Sequence, residues 1–254
     1  MSGCIVSCSV VCIALASPLL WPIMRLCLPL CRLKFDIVVI NDRNLRLPRG
    51  QPFDYQLAID RLRDFSAPRD KLRNLCDHGS VVRVKKGLYL RGWEQDEEMP
   101  VEPVVLAGLI YGPSYVSLET ALAYHGLIPE RVVEITCVTS KRAKVFETPV
   151  GRFRYVPVKE QVYSVGIRLE QAKGGHWLLA EPEKALCDRI ALIRDLTAAR
   201  DIAEVLAEDL RIDLDEVLKF RLPVVDEIAT LYRRKSVTAF QRWLAKAQKK
   251  IKTP

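Results

Sequence analysis

The sequence has no Cys-x-x-Cys pair and only three histidines, His78, His125 and His176, which share no motif. This excludes the usual zinc-knuckle and thioredoxin-like sites. There is no Walker A loop and no G-x-G-x-x-G fingerprint, so neither a nucleoside triphosphate nor a dinucleotide finds its usual cradle. No serine or cysteine stands at a recognisable triad spacing from a histidine, which leaves nucleophilic catalysis without its parts. Asp213 and Asp215 resemble a metal-binding carboxylate pair, but no Gly-Ser phosphate loop closely precedes them. The nearest such pair is Gly79-Ser80. An acidic first helical turn, favoured by the helix dipole, explains the two aspartates. No low-complexity tract and no internal repeat of about 20–50 residues appears. The expectation is a protein that is not an enzyme, with no catalytic residue, cofactor or metal.

Acidic residues are also absent after Glu227, and this opens the question of what is present. The chain carries 39 Lys and Arg against 31 Asp and Glu, a net charge of +8 that favours an anionic partner, nucleic acid or an anionic membrane surface. The excess is uneven. Residues 55–91 hold nine basic residues against four aspartates, whereas residues 200–227 hold nine acidic against four basic. One surface is built for a polyanion and another is acidic. Cys76, Cys137 and Cys187 are dispersed in apolar patterns. They read as small core hydrophobes in a reducing cytoplasm.

The N-terminus stands apart. Ser2 to Met24 carries no charge, and Cys4, Cys8, Cys12, Cys27 and Cys31 fall in or near this run. Its length suits a membrane span. However, no basic residues precede it, and Pro18, Pro22 and Pro29 interrupt a helix. The reading is a start codon assigned too far upstream, with a membrane anchor and an ordinary terminal helix as alternatives. Residues 37–50 read as an unstructured connector, so residues 1–50 form an extension and linker.

Residues 51–92 form the basic module. Leu57, Ile59, Leu62 and Phe65 recur at helical spacing over residues 55–65. Ser66, Pro68 and Asp70 then have the order of a helix start: cap, first-turn proline and first-turn acid. That second helix buries Leu72, Leu75 and Cys76, shows Arg69, Lys71 and Arg73, and ends at Gly79 after His78. Alternation over residues 80–90, with a turn at Lys85-Lys86-Gly87, predicts a hairpin. Helix, turn, helix and basic hairpin is the order of a winged helix-turn-helix. Arg69, Lys71 and Arg73 would read the groove, and Arg83, Lys85 and Lys86 would hold the phosphate backbone.

Residues 103–254 form the larger domain. Pro103–Tyr111 is an apolar helical run. Gly112-Pro113 then turns, and a helix capped by Ser117 ends at Gly126. His125 sits at its C-terminus, where a partly charged imidazole favours the dipole. Strands are expected over 132–139, 145–148, 151–158, 161–169 and 175–180, and helices over 182–194, 197–210, 213–220 and 224–251. Strands before helices predict an α+β fold: a winged helix-turn-helix followed by a mixed α/β domain ending in helices. Lys141, Arg142 and Lys144 form a secondary basic surface. The last helix adds Arg233, Arg234, Lys235, Arg242, Lys246, Lys249, Lys250 and Lys252, read as a solvated face or as a further DNA or partner surface.

Three stretches carry a resemblance: YGPSYVSLETALAYHGLIPE at residues 111–130, AEPEKALCD at 180–188, and the hairpin RVKKGLYL. Over about four-fifths of its length the chain resembles the AbiEi antitoxins of type IV toxin–antitoxin systems. The resemblance implies a repressor that binds operator DNA in its own promoter. For a repressor, cooperative binding at inverted repeats as a homodimer is the expectation, although no dimer interface is readable in the sequence. It also implies a second domain that counters an AbiEii-like nucleotidyltransferase toxin without a tight complex, in abortive infection against phage. Two features depart from the family. Glu181 stands where members often have Thr, a better helix cap, and residues 1–31 have no counterpart. The alternative is a stand-alone winged-helix transcription factor whose larger domain senses a ligand or dimerises.

Overall fold

The computed structural model describes residues 46–94, 97–130 and 132–252. The readings of the apolar N-terminal segment lie outside the described residues. Of the expected connector only residues 46–50 are described. They carry no helix or strand, yet Leu47 is buried.

A short strand, β1 (Phe53–Asp54), leads directly into α1 (Tyr55–Arg61). The Asp54 carboxylate caps the helix by accepting the Leu57 N–H at 2.8 Å. The helix expected to reach Phe65 stops at Arg61, because residues 62–66 are needed to turn the chain into α2 (Pro68–Asp77). Ser66 is not the cap expected of it. Ala67 holds that position with no side-chain bond, and Pro68, which has no N–H to satisfy, occupies the first turn. At the other end His78 accompanies the helix C-terminus as expected, with Nδ1 2.6 Å from the Asn74 carbonyl.

β2 (Val81–Lys85) and β3 (Leu88–Arg91) follow, turning at Gly87, where φ is +85°. The antiparallel sheet has the order β1-β3-β2. β3 is buried along its length, and its period of two divides it between two interiors. Leu88 and Leu90 enter the main core, whereas Tyr89 stacks on Phe53 with ring centroids 6.0 Å apart. Phe53, Ala58, Leu62, Leu72, Leu75 and Val81 are also buried but lie outside the main core. The hairpin is thus a shared wall, and the described residues form one compact unit.

The rest of the chain is built on a six-stranded mixed sheet of order β6-β7-β5-β4-β9-β8. Its strands are β4 (Ser114–Val116), β5 (Glu134–Thr139), β6 (Lys144–Thr148), β7 (Gly151–Pro157), β8 (Ile167–Ala172) and β9 (Gly175–Ala180). β5 runs parallel to β7, and β4 runs parallel to β9. Between the strands lie α3 (Pro103–Ile110), α4 (Leu118–Tyr124) and a single turn, α5 (Glu160–Tyr163). The helices α6 (Pro182–Ala191), α7 (Ile202–Glu204), α8 (Leu214–Leu218), α9 (Leu222–Tyr232) and α10 (Lys235–Lys252) follow. This is a mixed α/β architecture with two sheets, of the generic α+β class expected. Among the described residues no helix is long and apolar enough to cross a membrane.

Four elements differ from expectation. β4 was not foreseen, since three residues carry no period. The strand predicted over 161–169 is α5 and then β8. Gln161-Val-Tyr-Ser-Val alternates like a strand, but Val162 is needed inward and its carbonyl is taken by Lys184. The helix predicted over 197–210 is a 3-10 turn, α7 and a π-helical turn over Val205–Asp209. Finally, the long helix predicted over 224–251 breaks at Arg233, which is left-handed at φ 50° and ψ 38° without being glycine. The break allows α9 to bury Val225 and Ile228 while α10 folds back to bury Val237, Phe240 and Leu244 in the same core.

Candidate nucleic-acid interface

The predicted groove-reading residues do not share one row. At 3.6 residues per turn, Arg69 and Arg73 lie one turn apart on the same side of α2, and Lys71 projects from the opposite flank. Arg69 and Arg73 are exposed, whereas Lys71 is half-buried, its Nζ 4.9 Å from the centre of the Phe65 ring. Asp70, Asn74 and Asp77 occupy the middle of the exposed face. The helix therefore offers two arginines at one edge of a polar, partly acidic face.

The predicted backbone-holding residues also divide. Arg83 on β2 and Lys86 at the hairpin turn are exposed. Lys85 is not. Its Nζ donates to the Ile110 carbonyl at 2.5 Å, at the C-terminal end of α3. Lys141 does the same for the next turn of chain, donating to the Gly112 carbonyl. The last carbonyls of a helix lack internal partners and carry partial negative charge, so Lys85 serves the C-terminus of α3 while Lys141 serves the turn that follows it.

This brings the hairpin turn and the secondary basic surface together. Burial lowers the proton affinity of Lys85, and nearby Lys144 and Lys141 lower it further. Tyr111 is the platform between them. Its ring centre lies 5.5 Å from Lys141 Nζ and 5.8 Å from Lys144 Nζ, and its hydroxyl donates to the Arg142 carbonyl at 3.3 Å. An open groove of about 650 Å³ runs along Tyr111, Lys141, Arg142 and Pro157. Lysines around an aromatic ring at an open groove suit a phosphate-bearing chain whose bases or sugars lie on the ring. The sequence showed the two lysine groups but not their union.

The two motif stretches meet elsewhere, inside the core. The Asp188 carboxylate on α6 accepts from the Tyr115 hydroxyl at 2.9 Å, the Ser117 hydroxyl at 2.7 Å and the Tyr232 hydroxyl. Lys184, one turn earlier and fully buried, pairs with it at 2.9 Å and donates to the Val162 carbonyl at 3.0 Å. Burial, together with the Asp188 charge, pushes the Tyr115 and Tyr232 hydroxyls well above their ordinary range. Ser117 stands at the N-terminus of α4 as predicted, but its hydroxyl serves Asp188 and makes no capping bond. Glu181 likewise caps nothing. With Glu183 it holds Arg221 at the start of α9, at 2.6 and 2.9 Å. The long motif is therefore architectural. Sequence reasoning missed the Lys184–Asp188 pair, although a lysine and an aspartate four residues apart within an apolar helical run were a visible signal.

His125 differs from the cationic cap expected. It does end α4, but its Nε2 lies 2.8 Å from the Ala180 carbonyl on β9, and burial lowers its pKa despite that bond. Asp213 caps α8, its carboxylate accepting the Asp215 N–H at 2.9 Å. Cys137 and Cys187 are buried and burial pushes their thiols up, whereas Cys76 is half-buried. Among the described residues no group of three or more His, Cys, Asp and Glu is placed to hold a metal ion. One further cavity, of about 300 Å³, lies over Asp188 and Tyr232. No protein-family model matches the chain, and no curated protein matches it significantly.

Proposed function

We propose that the chain is a DNA-binding transcriptional repressor and antitoxin of the AbiEi kind, which autoregulates its operon and counters a nucleotidyltransferase-like toxin. The observation that carries the DNA-binding half is topological. Strand, helix, helix and hairpin, with the hairpin's second strand in the middle of a three-stranded sheet, matches the order expected of a winged helix and so supports the reading. Arg69, Arg73, Arg83 and Lys86 project from its helix and hairpin into solvent. The union of Lys85 with Lys141 and Lys144 extends the basic surface beyond this module, so the footprint on DNA includes the groove at Tyr111. The antitoxin half rests on the sequence resemblance.

The test is fluorescence anisotropy of the chain with DNA from upstream of its own gene, at several salt concentrations. Arg69→Ala with Arg73→Ala should weaken preference for that DNA over a scrambled duplex, and Lys86→Ala should weaken both equally. Equal affinity for the two duplexes in the unaltered protein would refute the repressor reading. Restored growth of cells expressing the toxin encoded beside this gene tests the antitoxin half. A stand-alone regulator with a ligand-sensing domain is the second reading, favoured by the cavity over Asp188. The absence of a neighbouring nucleotidyltransferase-like gene would select it.

A further inference from the structure

We infer that the cavity over Asp188 is a binding site for a small organic anion with an apolar body. The site is independent of the repressor reading, because its test measures small-molecule binding and involves no DNA.

Four observations converge on it. The cavity holds about 300 Å³, within the range of small-molecule pockets. It lies where Val138 and Val156 bring β5 and β7 to their ends. These strands are adjacent and parallel. Its wall is apolar, formed by Leu118, Val138, Val156, Val158 and Leu192. Its polar groups are few, as in sites that orient a ligand within an apolar shell.

The sign of the ligand's charge follows from those polar groups. Asp188 is the one carboxylate in the lining, and it is already neutralised by Lys184 and saturated by three hydroxyls. It has no charge left to offer a cation. Lys159 and Arg234 also line the cavity, and both are exposed. Lys159 has no ion-pair partner among the described residues. Arg234 spends one guanidinium N–H on the Ala191 carbonyl at 3.2 Å, leaving its others for a ligand. An apolar pocket with two cations and a neutral floor suits an aliphatic or aromatic carboxylate or sulfonate. Pro157 lines this cavity and the basic groove at Tyr111 alike, so an occupant sits beside the surface assigned to DNA.

Titration of the full chain with anilinonaphthalene sulfonate tests the site. One saturable site per chain is expected, displaced by decanoate far better than by decanol, which has the same apolar body without the charge. Lys159→Glu should weaken it about tenfold, since a lost attraction and a new repulsion each have the size of a surface ion pair. Val158→Trp should fill the cavity and abolish binding. Both variants must retain the parent melting temperature and near-ultraviolet circular dichroism. If Val158→Trp does not, Leu192→Trp, at an exposed position on the same wall, replaces it. The absence of a saturable site, equal displacement by decanol, or a saturable site untouched by both variants would overturn the inference.

Discussion

Asp188→Asn is the sharpest probe of what holds this protein together. The substitution preserves shape and removes one negative charge at a side chain that is 1% exposed, opposite a lysine that is 0% exposed. Four donors converge on the native carboxylate: the hydroxyls of Tyr115, Ser117 and Tyr232, and the Lys184 ammonium. An amide offers one acceptor oxygen in place of two and turns an N–H₂ toward groups that are themselves donors. Lys184 would keep the Val162 carbonyl but lose its counter-charge. Breaking a buried pair by removing one partner costs roughly 3–5 kcal/mol, because the remaining charge is stranded. For a domain of this size that is a fall of about 6–20 °C in Tm, and a large share of a total of about 5–15 kcal/mol. Urea unfolding followed by circular dichroism and by tryptophan fluorescence measures it. The double variant Lys184→Met with Asp188→Asn should recover part of the loss, since no buried charge then lacks a partner. A loss below about 1 kcal/mol for Asp188→Asn, or no recovery in the double variant, would refute the description of this cluster as an interdependent network.

Three further outcomes follow from the same geometry. Lys86→Ala should leave stability unchanged and reduce the salt dependence of DNA binding by about one charge, whereas Lys85→Ala should also destabilise the fold by about 1 kcal/mol because it frees the Ile110 carbonyl. Comparing urea midpoints with salt slopes separates the two, and identical behaviour would contradict the placement of Lys85. His125 has a folded pKa lowered from 6.5 by burial, so the unfolded state binds its proton more readily. Its contribution is complete above that value and is lost as pH falls through the folded pKa. The drop in urea midpoint between about pH 7.5 and about pH 5.5 should therefore be smaller in His125→Gln. Truncation after Arg234 should yield no folded protein, because it removes the buried Val237, Phe240 and Leu244, each worth about 2–5 kcal/mol. A cooperative unfolding transition in the truncated chain would show that α10 is dispensable.

Much of the local structure was legible because it is written in short-range chemistry. Pro68, Gly87 and Gly126 punctuate the chain where their restricted or permissive φ values require, and α2 and the hairpin fall where period and turn residues place them. The strands at Gly151–Pro157 and Gly175–Ala180 were readable from alternation for the same reason. What failed was decided at long range. Arg233 breaks a helix although its neighbours include no glycine or proline, because two helices must reach one core. Val162 sits in a helical turn within a strand-like pattern, because its carbonyl meets a lysine 22 residues away.

The histidine at the end of α4 illustrates the same limit. Local sequence placed it correctly at a helix terminus. Its charge state depended on tertiary burial, which lowers its pKa although the Ala180 carbonyl on β9, 55 residues away, opposes that shift.

The sequence alone determined the charge of this protein's surfaces, the basic helix and hairpin, and the two long motifs, since composition, period and punctuation are properties of neighbouring residues. Only the tertiary structure decided what each does. It turned Lys85 away from the hairpin tip to close a helix, joined it to Lys141 and Lys144, and sent the motif residues inward onto Asp188. Hydrogen bonds and ion pairs are set by distance in space, and chain order alone does not specify that distance.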